Sequence, residues 1–307
     1  MKEFATLLEG LILTPSRNRK IALMADYFAR TPDPERGYVL AAMTRDLSIK
    51  NLKPAALKAL ARERVDPVLF DLSYDYVGDM AETIALIWPT QMDGELPSIA
   101  TFLDVIEATP KTKIPDLMAG WLDIATAGER WAMIKLVTGG LRIGVSARLA
   151  KTALAEYGGQ PLEEIEKIWH GLAPPYTPLF DWLDGRAARP KIDHARTFHP
   201  MMLSHPIDEA KDFDTLKPGD FQAEWKWDGI RVQLVMDGGR ARLFSRTGDD
   251  ISAAFPDIVE NVKGAAVLDG ELLVGHGFEP QDLNALQQRL NRKSATNKHL
   301  ADSPVFI

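Results

Sequence analysis

A helical N-terminal domain followed by a mixed α/β, largely antiparallel domain is what the sequence predicts, making the chain multidomain, α and α+β. Apolar residues recur with helical period as far as about Leu183, a polar and basic stretch from Gly185 to Pro200 interrupts them, and beyond it the period becomes two. The boundaries expected from this are residues 1–187 for the all-helical domain, 188–199 for a linker and 200–307 for the α/β part. At 307 residues the chain is long enough for both.

Phe4, Leu7, Leu8 and Leu11 fall at i, i+3, i+4 and i+7, the signature of one buried helix face, and Ile99, Phe102, Leu103 and Ile106 repeat it. Met80 to Trp88 and Pro115 to Ala125 read the same way, with Asp116 placed for the first turn of the latter. Prolines at 15, 32, 34, 54, 67, 89, 97, 110 and 115 punctuate these segments. A helix through Trp131–Val137 is expected to end at Gly139-Gly140, and Ser146 to cap the next, which runs to about Tyr157. In the second part Ile230, Val232, Leu234 and Met236 alternate with Arg231, Gln233 and Val235, and Asp237-Gly238-Gly239 turns the chain into Arg240–Ser245, a hairpin. Ala265–Val274 and Val305–Ile307 are further expected strands, with Phe255–Val262 and Asp282–Leu290 as helical connectors. No internal repeat is evident at this level. The apolar run Pro304–Ile307 reads as a strand cut short, hence as the edge of a piece of a longer protein.

Composition excludes several chemistries. There is no cysteine, so thiolate nucleophiles, thiolate metal sites and disulfides are out. The six histidines show no metal-binding spacing, no apolar run approaches a membrane span, and the N-terminus has no signal-peptide pattern. A cytoplasmic protein without membrane contact is expected. Its net charge of −7 argues mildly against a polyanionic partner. Cations nevertheless cluster locally: Arg130, Lys135, Arg142, Arg148 and Lys151 without an intervening acid; Arg186, Arg189, Lys191 and Arg196; and Arg289, Arg292, Lys293 and Lys298. Such patches can meet nucleic acid on an acidic body, or be scattered solvated faces.

No GxGxxG or Walker A loop is present, so any nucleotide must be handled by another device. Glu224-Trp225-Lys226-Trp227-Asp228-Gly229-Ile230-Arg231 offers one. A lysine between two indoles at a strand end can be dry, and desolvation with Arg231 nearby would disfavour its ammonium. The neutral amine would attack phosphorus, with Asp228 orienting it and Gly229 permitting a tight turn. The alternative is a surface hairpin whose Lys226 and Asp228 face water. KxDGxR should arise by chance in roughly 0.2% of chains of this length at equal residue usage. Independently, the turn at Gly139–Val145 can present backbone N–H groups at a helix N-terminus beside Arg142, a phosphate site, or it can be an ordinary capping turn.

Downstream of Lys226 come Ser245-Arg246-Thr247-Gly248 and Leu268-Asp269-Gly270-Glu271. This order resembles the covalent nucleotidyltransferase superfamily of polynucleotide ligases and mRNA capping enzymes. Val77–Thr83, Leu136–Val145 and His199–Leu203 are similar to the helical DNA-binding domain and the following domain start of ATP-dependent DNA ligases, the bacterial type above all. The resemblance implies an N-terminal DNA-binding domain and the first part of an adenylation domain. It implies Lys226 as the AMP-accepting nucleophile, Glu224 reading adenine, and Arg231 and Arg246 holding AMP or the nick 5′-phosphate. Glu271 would bind ribose or assist a metal ion. Lys135, Gly140, Arg142, Gly144 and Arg148 would contact DNA. ATP and Mg2+ are the implied cofactors and nicked double-stranded DNA the partner, for a monomer acting in DNA repair, replication and recombination.

The complete ligase pattern adds a later adenine-stacking aromatic, a metal-assisting Glu, a Lys-x-Lys pair and an OB-fold domain. None occurs before Ile307, so the resemblance implies a fragment that binds DNA without full catalysis. Rival readings are an RNA ligase or GTP-using capping enzyme, a ligase using NAD as AMP donor, and a non-catalytic DNA-binding module. The long helical half disfavours the first two.

Overall fold

The computed structural model describes residues 1–47, 49, 51–89, 92–192, 197–199, 201, 202, 204–237, 239–276, 279–281, 283–290 and 295–307. The chain divides into two units, one of Met1–Glu166 with Leu172–Pro190, the other of Lys167–Gly171 with Lys191–Ile307. Of the expected linker, residues 193–196 lie outside the described residues, as do Pro200 and Leu203 of the expected domain start. Among the described residues no helix is long and apolar enough to cross a membrane.

The first unit is built of helices: α1 (Lys2–Leu13), α2 (Arg17–Arg30), α3 (Glu35–Thr44), α4 (Pro54–Arg64), α5 (Pro67–Val77), α6 (Met80–Ile87), α7 (Ile99–Ala108), α8 (Ile114–Ile124), α9 (Ala127–Thr138) and α10 (Ala147–Gly158). They are followed in the chain by α11 (Leu162–Trp169) and α12 (Thr177–Leu183). Side-chain caps start many of them, satisfying N–H groups that have no partner within the helix: Ser16, Asp66, Asp79, Ser98 and Ser146, and a Thr126–Glu129 capping box. The faces set by Phe4, Leu7, Leu8 and Leu11 and by Ile99, Phe102, Leu103 and Ile106 are buried. Glu35 of α3 reaches α7 and accepts the N–H groups of Ile99 and Ala100 at 2.7 and 2.9 Å.

Contrary to the sequence reading, this unit does contain a repeat. Helices α1–α4 recur as α7–α10 at a spacing of 94 to 95 residues, so that Phe4-Ala5-Thr6-Leu7-Leu8-Glu9 matches Ile99-Ala100-Thr101-Phe102-Leu103-Asp104. The ends of α3 and α9 share two features. Thr44 Oγ1 donates to Leu40 O at 3.0 Å and Thr138 Oγ1 to Ile134 O at 2.7 Å, and each helix then stops at a left-handed residue, Arg45 (φ 67°) and Gly139 (φ 69°). The halves pack reciprocally: α2 on α10 as α8 on α4, and α1 on α9 as α7 on α3.

The charge clusters of the sequence are partly consumed in the fold. Arg130 is buried and donates to Leu122 O at 2.7 Å. Arg186 meets Asp33, Asp181 and Asp184, and Arg189 meets Glu164. In the second unit Arg289 is buried, bonded to Ala254 O, Ser303 O and Asp257, while Arg292 and Lys293 lie outside the described residues, as does Arg196. Among the described residues Arg130, Arg186, Arg189 and Arg289 are thus neutralised by acids or carbonyls, while Arg142 and Arg148 stay exposed.

The second unit contains α13 (Glu209–Asp212), β1 (Ile230–Asp237), β2 (Arg240–Ser245), α14 (Pro256–Val259), β3 (Ala266–His276), β4 (Glu279–Pro280), α15 (Leu283–Leu290), α16 (Asn297–Asp302) and β5 (Val305–Phe306). The sheet runs β2-β1-β3-β4, with β5 also antiparallel to β3. Val232 pairs with Ser245 on β2 and Gly270 on β3, which fixes the register of all three motifs. Val232, Leu234, Leu243, Phe255, Leu272 and Leu286 form the core on one face. Val235 and Phe244 cover the other with Phe198, which is why the β1 alternation is not a simple inside–outside pattern. The expected Phe255–Val262 helix shrinks to α14 and ends well before Gly264, which takes φ 111°. Gly238 of the hairpin turn and Asp282 lie outside the described residues.

Candidate functional site

In the second unit the three motifs meet at one end of the sheet. Gly229 precedes β1 and passes so close to β3 that a Cβ there would stand 2.5 Å from Leu272 O and 3.0 Å from Glu271 Cγ, so only glycine fits. Its backbone N–H faces the Glu271 carboxylate. Arg231 stands opposite Glu271 on β3, and Arg246, one step past the Val232–Ser245 pair, is level with both. Arg246 projects from a turn that bonds to itself: Ser245 N donates to Asp249 O at 2.9 Å, Gly248 N to Ser245 O at 2.9 Å, and Thr247 Oγ1 to Asp249 Oδ2 at 2.5 Å.

Electrostatics separate these residues. Glu271 is half-buried, and burial pushes its carboxyl above the ordinary range, although the Gly229 N–H, Arg231 and Lys226 oppose the shift while Asp228 adds to it. Arg231 is clamped by Asp269, Nε to Oδ1 at 3.0 Å and Nη2 to Oδ2 at 2.7 Å, and also donates to Met202 O at 2.7 Å. That bidentate pair raises the guanidinium further above its ordinary range.

Lys226 corrects the expectation of a dry amine. Residues 221–227 are extended without a ladder partner among the described residues, and Lys226 is exposed. Trp225 is 85% and Trp227 49% exposed, so the indoles do not enclose it. Glu224 is likewise exposed and accepts from Gln222 Nε2 at 3.0 Å. The physical reason is local: the sheet starts only at Ile230, and desolvation needs a covering surface that a strandless segment lacks.

In the first unit, α9 ends at Gly139 and Ser146 caps α10, accepting Leu149 N at 3.1 Å. Between them Arg142 takes φ 47° and Gly144 φ 65°. Lys20 of α2, only 8% exposed, fixes the turn from beneath by donating to Ile143 O at 2.8 Å and Gly144 O at 3.1 Å. A Cβ on Gly144 would meet Lys20 Nζ at 2.5 Å. Gly140 has open space around it, and Arg142 and Arg148 are exposed. Lys135 is different. It is 5% exposed and ion-paired with Asp79, whose carboxyl sits below its ordinary range because the Lys135 ammonium and the Glu82 and Ala81 N–H groups outweigh burial. Lys135 is thus committed to an ion pair inside the unit, unlike the exposed Arg142 and Arg148.

The turn opens onto a cleft of about 710 Å³ that also takes in Arg17 and Arg45. Both were missed in the sequence. The signal for Arg17 was present, since Arg17-Asn18-Arg19-Lys20 is a basic run at the start of a capped helix. Arg45 carried none, because its place beside the turn depends on the fold. Among the described residues no cluster of three or more His, Asp or Glu could hold a metal ion.

Residues 201–307 match the family described as ATP dependent DNA ligase domain. Over 99% of its length the chain is 27% identical to a probable DNA ligase of Anaeromyxobacter dehalogenans, covering 58% of that protein. A probable DNA ligase of Koribacter versatilis is 32% identical over 59% of this chain and 32% of its own. A protein named DNA ligase 1 from Korarchaeum cryptofilum is 23% identical over 100% of this chain and 59% of its own. The chain thus spans less than two thirds of the length of these relatives. Residues 201–307 thus resemble the ATP dependent DNA ligase domain, and the alignments with proteins named DNA ligase run through the helical unit as well.

Proposed function

We propose that this chain supplies the DNA-gripping helical part, residues 1–187, and the first part of the adenylation domain, residues 200–307, of an enzyme that seals nicks in duplex DNA with ATP. The observation that carries this reading is the close approach of Gly229 to β3, which brings the Lys226 segment to Glu271, level with Arg231 and Arg246. Lys226 Nζ attacks the α-phosphorus of ATP; a P–N bond forms and the bond to pyrophosphate breaks. AMP then passes to the 5′-phosphate at the nick, and the 3′-hydroxyl displaces it to form the phosphodiester. Arg246, held out by its self-bonded turn, grips AMP or the 5′-phosphate, and Glu224 reads adenine. Arg231, already paired with Asp269, contributes to the phosphate site through that pair rather than as a lone cation.

Magnesium suits the donor set, since it is commonly held by one or two carboxylates together with substrate phosphates, and Glu271 lies within the field of Asp228. When bound there it neutralises charge developing on the phosphates. The enzyme acts as a monomer in the cytoplasm. In a protein carrying the whole ligase domain, labelled ATP with magnesium should leave one acid-labile, base-stable AMP on Lys226. Lys226→Ala should abolish it while sealing of a pre-adenylated nick partly survives. An undiminished label on the variant refutes the assignment.

A further inference from the structure

The cleft above the Gly139–Ser146 turn lies at the seam between the two repeats of the helical unit. Arg45 comes from the left-handed stop of the first copy, Arg142 from the turn of the second, and Arg17 from the first turn of α2. All three side chains are exposed, none has an ion-pair partner among the described residues, and no acid lines the cleft. By contrast Arg30, Arg36, Arg62, Arg64, Arg186 and Arg189 of the same unit are matched by carboxylates. Lys20 adds a buried positive charge under the floor, two of its three protons already committed to the turn carbonyls. The other side of the first copy has the opposite character. Asp46, Leu47, Ile49 and Asn51 border a smaller cleft, about 390 Å³, with Asp104 and Glu107 also in its wall.

We infer that Arg17 and Arg45 act with Arg142 as one phosphate track, so that a single DNA backbone crosses the seam between the repeats and is kept off the acidic cleft alongside. The inference rests on the DNA-binding reading above and extends it to two residues and one direction. Three guanidiniums converging on an open cleft without counter-charge suit successive phosphates of one strand, each of which an arginine can grip by two N–H groups. Because the contacts are to phosphate, the track is indifferent to sequence.

The test is binding of a fluorescent nicked duplex to the 307-residue chain across a salt series. Arg45 and Arg142 hold left-handed backbone, so Arg45→Asn and Arg142→Asn remove charge with a residue that tolerates it, and Arg17→Ala suits a helix. Each variant should make the log–log salt slope shallower by about 0.9, and the triple variant by about 2.7, equally on unrelated sequences. Asp104→Asn with Glu107→Gln should leave the slope unchanged. If Arg142→Asn alters the slope while Arg17→Ala and Arg45→Asn do not, the track is overturned and the DNA-binding reading stands. If the unaltered chain binds no duplex at low salt, that reading itself falls. A slope change from the Asp104 and Glu107 pair would place the backbone on the acidic side and overturn the direction.

Discussion

In the helical unit the Gly139–Ser146 turn is held from below: a buried ammonium ties two of its carbonyls, and Gly144 leaves no room for anything but that lysine. In the sheet unit Lys226 stands on an extended, exposed segment whose fixed anchor is Gly229 against β3. The first arrangement is fixed by the fold itself, and the second holds the Lys226 segment beside Glu271 but leaves its amine wet. On the proposed reading, grip is preorganised in this chain, whereas the chemistry is only aimed until a covering surface dries it.

Breaking the aim should have the largest effect. Gly229→Ala sets a Cβ 2.5 Å from a backbone oxygen of β3, which cannot yield without shifting the β1–β3 ladder. Lysine adenylation by a protein carrying the whole ligase domain should fall by about 100-fold or more, the order expected of an ångström-scale misplacement. Label uptake per active site measures it, and unaltered uptake would mean that the contact with β3 does not position Lys226.

Next in size is a change that separates structural cations from gripping ones. Lys135→Met leaves Asp79 without its ammonium and should cost about 1–3 kcal/mol, read as a melting temperature lower by several degrees, with the salt slope of DNA binding unchanged. Asp79 has a depressed carboxyl pKa in the fold. The stability that the pair contributes is therefore present above the ordinary carboxylate range and is lost as pH falls through the depressed value, so the deficit should shrink in acid. A slope that became shallower by about 0.9 would return Lys135 to the DNA surface.

The smallest effect concerns Glu271. Its carboxyl is raised by burial, so the folded state holds the proton more tightly and loses stability as pH rises through the raised value. Glu271→Gln escapes that loss. Its melting temperature should equal or slightly exceed the parent's near neutrality and converge with it in acid, while adenylation falls. A variant less stable at pH 7 would show that the charge is favoured in place.

Much of the frame was legible. The faces at Phe4–Leu11 and Ile99–Ile106, the caps at Ser146 and Gly139, and the hairpin after Ile230 follow from period and backbone rules that act within a few residues. What escaped depends on distant partners. Nothing near Lys135 announces Asp79, nothing near Arg231 announces Asp269, and the dryness of Lys226 is set by what covers it rather than by its indole neighbours. The repeat was hidden for another reason. Its copies share little beyond Ala, Thr and Leu in one hexad, while the turns diverged from Arg45-Asp46-Leu47 to Gly139-Gly140-Leu141.

The reciprocal packing of that repeat has a consequence for how the unit assembles. Since α2 rests on the second half's α10 and α8 on the first half's α4, each half completes its interior only with the other, in the isologous manner of a twofold homodimer. Carried on one chain, the two halves stand at a high effective concentration about one another, and a cut between α6 and α7 would turn their pairing into a bimolecular event.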